Sequence, residues 1–502
     1  MASKPGAEVT TEDAWIGIDL GTKSVRAIAI ADDGTVLASW AVPLASNRDG
    51  GRHEQDPEQW WSATRDALRQ VTHAIEGRAV PSALSVCATS GTIVVADASG
   101  LFMTPGIMYD DTRAAGLASK VDEIGRAVWQ RMGYRMQSSW ALPKILWLAD
   151  AGILRSDSAI LHQADVVTTR LAGHRVSADA SHALKSGADL HSVSWPYEVL
   201  SGLGLPLAAF PDMVASGEIL GEVGSAAAET TGLPVGCLII AGMTDGCAAQ
   251  ISAGSVRPGS WNSVMGTTFV AKGMSETALT DPTGAVYSHR APFGAGWFPG
   301  GASNTGTRAF DHWLPGRPLG ALTATAASLP PRHLYPLVGK GERFPFVSAD
   351  AHAIFGQGIE SGSSDSALFS AIAHGIGYLE RLSYDLVSMI GYDISGPIGL
   401  TGGGSRNEWW NQLRADILDR EVQTPSVAEG AIGMAVLAAA ACDNVSEARL
   451  ATAAERLLRP GVRLQPSPRA DIEADYRLFV DELAQIGWLD PELAGFAQGG
   501  DR

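Results

Sequence analysis

A buried strand that ends on an aspartate and turns at once on a glycine constrains this chain more than any other stretch. The hydrophobic run AWIGI leads directly into Asp19, and Trp15 to Asp19 reads as a buried strand. Gly21 and Thr22 make a tight turn, and Val25 to Ile30 runs apolar as a second strand. Asp32, Asp33 and Gly34 then give a hairpin signal, and TVLASWAV returns as a third strand. The first turn therefore carries one carboxylate, one glycine and several hydroxyls. That set suits a phosphate held against backbone N–H groups, with Asp19 facing a metal ion or a hydroxyl. An ordinary hairpin turn favours the same residue types, so the rest of the chain has to decide.

At 502 residues the chain is long enough for two sizeable domains. Its 37 Lys+Arg against 54 Asp+Glu give a formal charge of −17 without a dense basic run, which argues against nucleic-acid binding. Cys87, Cys237, Cys247 and Cys442 are scattered through apolar or small-residue stretches, without zinc spacing, and read as inert core thiols. The start, MASKPGAEVTTED, lacks an apolar leader segment, and no run approaches the roughly 20 apolar residues of a spanning helix. The expectation is a cytoplasmic protein with no membrane partner and a disordered N-terminus over residues 1–13.

Further along, residues 41–61 read as a polar loop, with Asp56-Pro57-Glu58 opening a helix to about Ile75. Ala83 to Ala88 is a short buried strand ending in Thr89, Ser90 and Gly91, and Thr92 to Ala96 follows as another. Hydroxyl-rich loops at strand ends are where open α/β sheets bind ligands. Tyr109, Asp110, Asp111 and Arg113 cluster next. Lys144, inside the helix LPKILWLAD, reads as a solvated charge, and His182 as a packed or capping histidine.

Leu238 to Ala241 is a strand whose exit loop carries Asp245 beside a helix N-terminus, where a mere N-cap is the alternative role. Asn262 to Lys272 then repeats the opening logic, with a strand, a Gly266-Thr267-Thr268 turn and a second strand. A duplicated fold is the expectation, with the break near Gly254 to Gly259. Gly300 to Gly306 is a glycine-rich turn, GERFPF reads as part of a strand, and Ser366 to Ile390 is a long amphipathic helix. Thr401 to Asn407 (TGGGSRN) is a strand exit loop, followed by a helix from Trp409. Four glycine-and-hydroxyl loops at strand ends, together with Asp19 and Asp245, point to a nucleotide in an interdomain cleft. Walker and dinucleotide fingerprints are missing.

DLGTKSVR, YDDTR, GMTDGCAAQ, GTT and TGGGSRNEWWNQLRADILDREV resemble the FGGY carbohydrate kinases of the actin-like ATPase superfamily, over roughly residues 14 to 485. The resemblance implies an α/β fold of two ribonuclease-H-like domains with a cleft between them. It assigns 14–254 to an N-terminal, sugar-binding domain, 255–485 to a C-terminal, nucleotide-binding domain, and 486–502 to a tail. It implies ATP and Mg²⁺ as cofactors and phosphoryl transfer to a sugar hydroxyl. Asp245 then corresponds to the general base, and Asp19 to the residue near the metal and the reacting hydroxyl. Thr22, Arg26, Gly266 and Thr267 correspond to phosphate contacts, and Gly306, Gly403 and Asn407 to further nucleotide contacts. Lys23 stands where many relatives carry Thr or Ser and is expected to face solvent.

The loop Ala88-Thr89-Ser90-Gly91-Thr92 differs from the Gln-Met-His-Gly loop usual in xylulokinases. With SHALKSG, VYSHR, GGASNTG and KGERFPF it resembles the D-ribulose kinase group, so Ser90, Asp19 and Asp245 are expected to contact the sugar. The leading expectation is therefore ATP-dependent phosphorylation of D-ribulose at its terminal hydroxyl. Xylulokinase or another ketose or polyol kinase is the alternative, and a non-catalytic actin-like ATP switch the distant one. The expected partner is a small-molecule sugar, and a homodimer is compatible with the resemblance.

Overall fold

Along Ala14–Leu20 every side chain is buried or nearly so, as in a strand covered on both faces. The computed structural model describes residues 12–427, 429–443, 448–467 and 469–499. Of the N-terminal segment expected to be disordered, residues 1–11 lie outside those described, whereas Glu12 and Asp13 already belong to the first strand. In the expected tail, Pro491–Ala497 is helical, and residues 500–502 lie outside the described set.

The chain forms two compact units. One holds the described residues up to Val121, with Gln137–Ala248 and Glu429–Leu458; the other holds Asp122–Met136, residues 249–427 and the described residues from Arg459 onward.

The first unit is built on a six-stranded sheet of β1 (Glu12–Leu20), β2 (Ser24–Ala31), β3 (Val36–Pro43), β4 (Ala79–Ala88), β5 (Ile219–Glu222) and β6 (Leu238–Ile240), in the order β5-β6-β4-β1-β2-β3. β1, β2 and β3 form an antiparallel meander, while β1 pairs β4 and β4 pairs β6 in parallel. The second unit has a seven-stranded sheet of β7 (Trp261–Met265), β8 (Phe269–Gly273), β9 (Tyr287–Arg290), β10 (Trp297–Ala302), β11 (Ile398–Thr401), β12 (Val422–Gln423) and β13 (Arg463–Leu464), in the order β9-β10-β8-β7-β11-β12-β13. β7, β8 and β10 repeat the antiparallel meander, and β7–β11 and β11–β12 repeat the parallel pairs. The shared topology is that of two ribonuclease-H-like units, as the repeated strand–turn–strand implied.

Helices form where apolar spacing meets a cap. In α1 (Pro57–Ile75) the Asp56 side chain accepts from the Glu58 N–H, Pro57 opens the first turn, and Trp60, Ala67, Leu68 and Val71 face the core. α2 (Ala141–Asp150) and α3 (Asp245–Ser252) complete the helices that matter for the first unit's loops. α4 (Asp365–Ile390) and α5 (Glu408–Leu418) are locked in the second unit by a buried ion pair. Arg414 donates from Nε to Glu380 at 2.6 Å and from Nη2 to Ser263 Oγ at 2.7 Å. α6 (Gly430–Cys442), rich in Ala and Gly, returns to the first unit and packs on β1. It sits so close that a Cβ on Gly17 would lie 1.6 Å from the Ala431 carbonyl oxygen. α7 (Ala470–Gln485) carries Asp475 and Glu482 to His333.

Two local expectations are corrected. The segment read as a polar loop contains a short hairpin, Asn47–Asp49 with Arg52–Gln55, since its charged side chains lie on exposed edges while His53 and Gln55 alternate inward. GERFPF forms only an isolated bridge between Glu342 and Ser348, because Pro345 supplies no ladder donor.

Gly17→Val should destabilise the protein by about 3 kcal/mol through overpacking against α6, read as a lower urea midpoint. Burial alone would lower the His333 pKa, but hydrogen bonds donated to Asp475 and Glu482 outweigh it and hold it at about 9. His333 therefore contributes stability that is fully present below about pH 6.5 and is lost as pH rises through about 9. His333→Gln should be clearly less stable than the parent at about pH 6 and nearly matched to it near pH 10; an equal deficit at both values would refute the charged pairing.

Candidate active site

The β1–β2 turn closes with Gly21 N–H donating to the Ser24 carbonyl at 3.0 Å. In the ladders, Asp19 stands opposite Arg26 on β2 and opposite Cys87 on β4. α6 begins against it, since a Cβ on Gly430 would lie 3.0 Å from Asp19 Oδ2. Burial, then the charge of Asp245, pushes the Asp19 pKa up to about 6; Glu429 adds to the rise, while the Cys87 thiol and Arg26 oppose it. Arg26 Nε pairs with Glu429 at 3.2 Å. Two carboxylates thus act on a third with one guanidinium to oppose them, a shortage of positive charge that a divalent cation would relieve.

No group of three or more His, Cys, Asp or Glu placed to hold a metal occurs among the described residues. A magnesium ion bound through one or two carboxylates, water and substrate phosphates does not require such a group. Asp19 fits that mode of binding.

Asp245 is the first residue of α3 and is exposed; its Oδ1 accepts from the Gly246 N–H at 2.7 Å. The preceding residue is fixed from behind. Thr244 bridges to Ala88 in parallel and donates its N–H to Ser181 Oγ at 3.2 Å. His182, held by Asp179 at 2.6 Å, reaches the Ala88 carbonyl at 3.3 Å. The histidine is packed, as expected, and with its neighbour Ser181 it braces the end of β4 and the Thr244–Asp245 turn together.

Ser90 follows β4, and its Oγ is buried without a hydrogen-bond partner among the described residues. Thr89 turns inward instead, to Thr92 at 2.6 Å and Gln163 at 2.6 Å. Tyr109 joins the group: burial, Asp110 and Asp245 all raise its pKa, while Arg48 and Thr22 oppose the rise. Thr22 also accepts from Gln55 Nε2 through its carbonyl at 2.7 Å. Lys23 is exposed, as expected.

Lys144 is not a solvated charge. It is 0 % exposed, with Nζ donating to Met108 O at 2.7 Å and to Gly91 O and Tyr109 O at 3.2 Å each. Its helix is apolar nearly all round, so burial of the whole face, rather than of one stripe, takes the lysine inside.

In the second unit the β7–β8 turn and the loop after β10 meet. Thr307 N–H and Oγ1 donate to the Gly266 carbonyl at 2.9 and 2.8 Å, and a Cβ on Gly306 would lie 2.5 Å from Thr268 Cα. Gly402, at φ +83°, packs on Met265 at the same strand end, whereas a Cβ on Gly403 would meet nothing. Gly266, Thr267, Gly306 and Gly403 therefore belong to one group of loops at the ends of β7, β10 and β11. Asn407 caps α5 by accepting from the Trp410 N–H at 3.1 Å, and its Nδ2 donates to Thr323 Oγ1 at 3.2 Å.

Glu429, Cys87 and Lys144 are the members that motif reading did not find. The first two act on Asp19 from parts of the chain distant in sequence; the buried face around Lys144 was legible in its apolar helix.

Residues 14–252 match the model of the FGGY family of carbohydrate kinases, N-terminal domain, and residues 262–442 match the C-terminal domain of that family. A xylulose kinase of Streptomyces rubiginosus is 30% identical over 440 residues, 84% of this chain and 87% of that protein. Among solved structures, xylulose kinase from Rhodospirillum rubrum superposes with a TM-score of 0.82 at 26% identity, covering 96% of this chain and 99% of the other. A "xyloylose kinase" from Brucella ovis gives 0.87 at 22% identity, covering 95% and 100%. With its duplicated topology, its strand-end carboxylates and these matches, the chain belongs to the FGGY family of carbohydrate kinases.

Proposed function

We propose that this sugar kinase transfers the γ-phosphoryl group of ATP to the terminal hydroxyl of a ketopentose, with D-xylulose the first candidate. The observation that carries the chemistry is the exposed Asp245 at the head of α3, in electrostatic contact with the half-buried Asp19. The choice of D-xylulose rests on the xylulose kinase of Streptomyces rubiginosus, 30% identical over most of both chains. This reverses the order expected from the Ser90 loop. D-Ribulose stays the second reading because Ser90 Oγ is buried with no partner among the described residues, as a sugar-hydroxyl contact would be before its ligand arrives.

In this reading the acceptor hydroxyl lies within hydrogen-bond reach of Asp245. The hydroxyl proton passes to the carboxylate as the oxygen bonds the γ-phosphorus and the bond to the bridging oxygen of ADP breaks. A bound Mg²⁺ would neutralise charge on the phosphate oxygens, and Asp19 is the residue that would hold it. Thr22 and Arg26, with Gly266 and Thr267, would steady phosphates. Gly306, Gly403 and Asn407 would serve the nucleoside side, Asn407 through its backbone because its amide is committed to the α5 cap and Thr323.

A coupled ADP-release assay over D-xylulose, D-ribulose, L-ribulose, ribitol and glycerol tests the substrate. Preference for D-xylulose supports the first reading, preference for D-ribulose restores the second, and no turnover on any of them removes both. Asp245→Ala should lower kcat by about 10³-fold with the ATP KM changed by less than about threefold. Near-normal turnover in that variant would sink the base assignment. Ser90→Ala should raise the sugar KM and leave that of ATP unchanged, and equal effects on both would remove Ser90 from the sugar site.

A further inference from the structure

An ammonium group has three N–H donors and no acceptor, and Lys144 spends its donors on the carbonyls of Gly91, Met108 and Tyr109. These three oxygens come from two separate segments, the loop after β4 and the turn before Arg113. Burying an ammonium without a carboxylate partner is unfavourable. Apolar packing alone would be better served at this position by Met or Leu.

The carbonyls it holds have neighbours of consequence. Gly91 adopts φ +92°, and a Cβ there would lie 3.1 Å from Lys185 Cδ. Lys185 in turn donates to the Ser90 carbonyl at 3.3 Å. The peptide groups on both sides of Gly91 are thus each fixed by a lysine, while Ser90 Oγ is left without a partner among the described residues. On the other segment, fixing the Tyr109 carbonyl fixes the residue whose hydroxyl lies within electrostatic reach of Asp245.

We infer that Lys144 is a positioning residue for acceptor binding: by gathering the Gly91, Met108 and Tyr109 carbonyls, it sets Ser90 relative to Tyr109. The inference rests on the reading of Ser90 as an acceptor contact. Burial draws the Lys144 pKa down to about 7; Asp111 and Asp110 oppose that fall, while Lys185 and Arg113 add to it. Loss of the proton leaves two N–H donors and points a lone pair at the third carbonyl, so the two segments loosen as pH rises.

The test compares the parent enzyme with Lys144→Met, using D-xylulose and D-ribulose as acceptors. In the parent, the acceptor KM should rise about fivefold between about pH 6.5 and 8.5, with the ATP KM changing less than about twofold. In Lys144→Met the acceptor KM should be about tenfold higher at the lower pH and should no longer respond to pH. Amide exchange without ligands should quicken about tenfold in peptides covering 88–96 and 106–113, and stay unchanged in those covering β1 and β2. A flat parent profile, equal changes in both KM values, or unchanged exchange in the two peptides would overturn the inference. If Lys144→Met does not fold, the parent's pH profile decides. If the parent phosphorylates neither sugar, the substrate reading fails, and the exchange comparison still decides the role of Lys144.

Discussion

A carboxylate at the end of a buried strand must be stabilised by its surroundings or be protonated, and the first unit is organised around that constraint at Asp19. Its neighbours arrive by three routes. The antiparallel ladder brings Arg26, the parallel ladder brings Cys87, and the return of the chain at residue 429 brings Glu429 and the start of α6. Close approach of α6 depends on Gly17 and on the helix's own small residues. The packing of the sheet and the electrostatics of the site are therefore one problem. A larger residue at Gly17 would disturb both, and a cation bound at Asp19 would ease a repulsion that the fold itself creates.

Around this centre the loops are held by backbone carbonyls more than by side-chain pairs. Lys144, Lys185 and His182 each end on a main-chain oxygen, at Gly91, Ser90 and Ala88 respectively. Such bonds fix where a loop runs while leaving its own side chains free to meet a ligand. Ser90 shows the result, with its carbonyl held and its hydroxyl unpartnered among the described residues.

Much of this was legible in the sequence because the governing signals are local. The meander of β1 to β3, the cap of α1 at Asp56-Pro57 and the turn at Gly266 all declare themselves within a few residues. What was not legible depends on contacts far apart in sequence. Glu429 carries no local mark of its nearness to Asp19, nor does Cys87. Lys144 misled because charge in a helix usually means solvent, although the apolar surroundings of LPKILWLAD argued otherwise. The hairpin at Asn47–Gln55 was hidden because its edges are charged. Substrate preference is the hardest to read: the Ser90 loop points to D-ribulose, while the relative from Streptomyces rubiginosus is named a xylulose kinase.

The two sheets share a topology but not a chemistry. At the end of β1, Leu20 pairs Val25 across a turn that begins Gly21-Thr22; at the end of β7, Met265 pairs Phe269 across a turn that begins Gly266-Thr267. One residue before these closing pairs the first unit has Asp19 and the second has Val264. The repeat preserves the backbone cradle and drops the acid. Of these two equivalent turns, the first follows an acid and the second an apolar side chain, so one duplicated backbone carries a different chemistry in each unit.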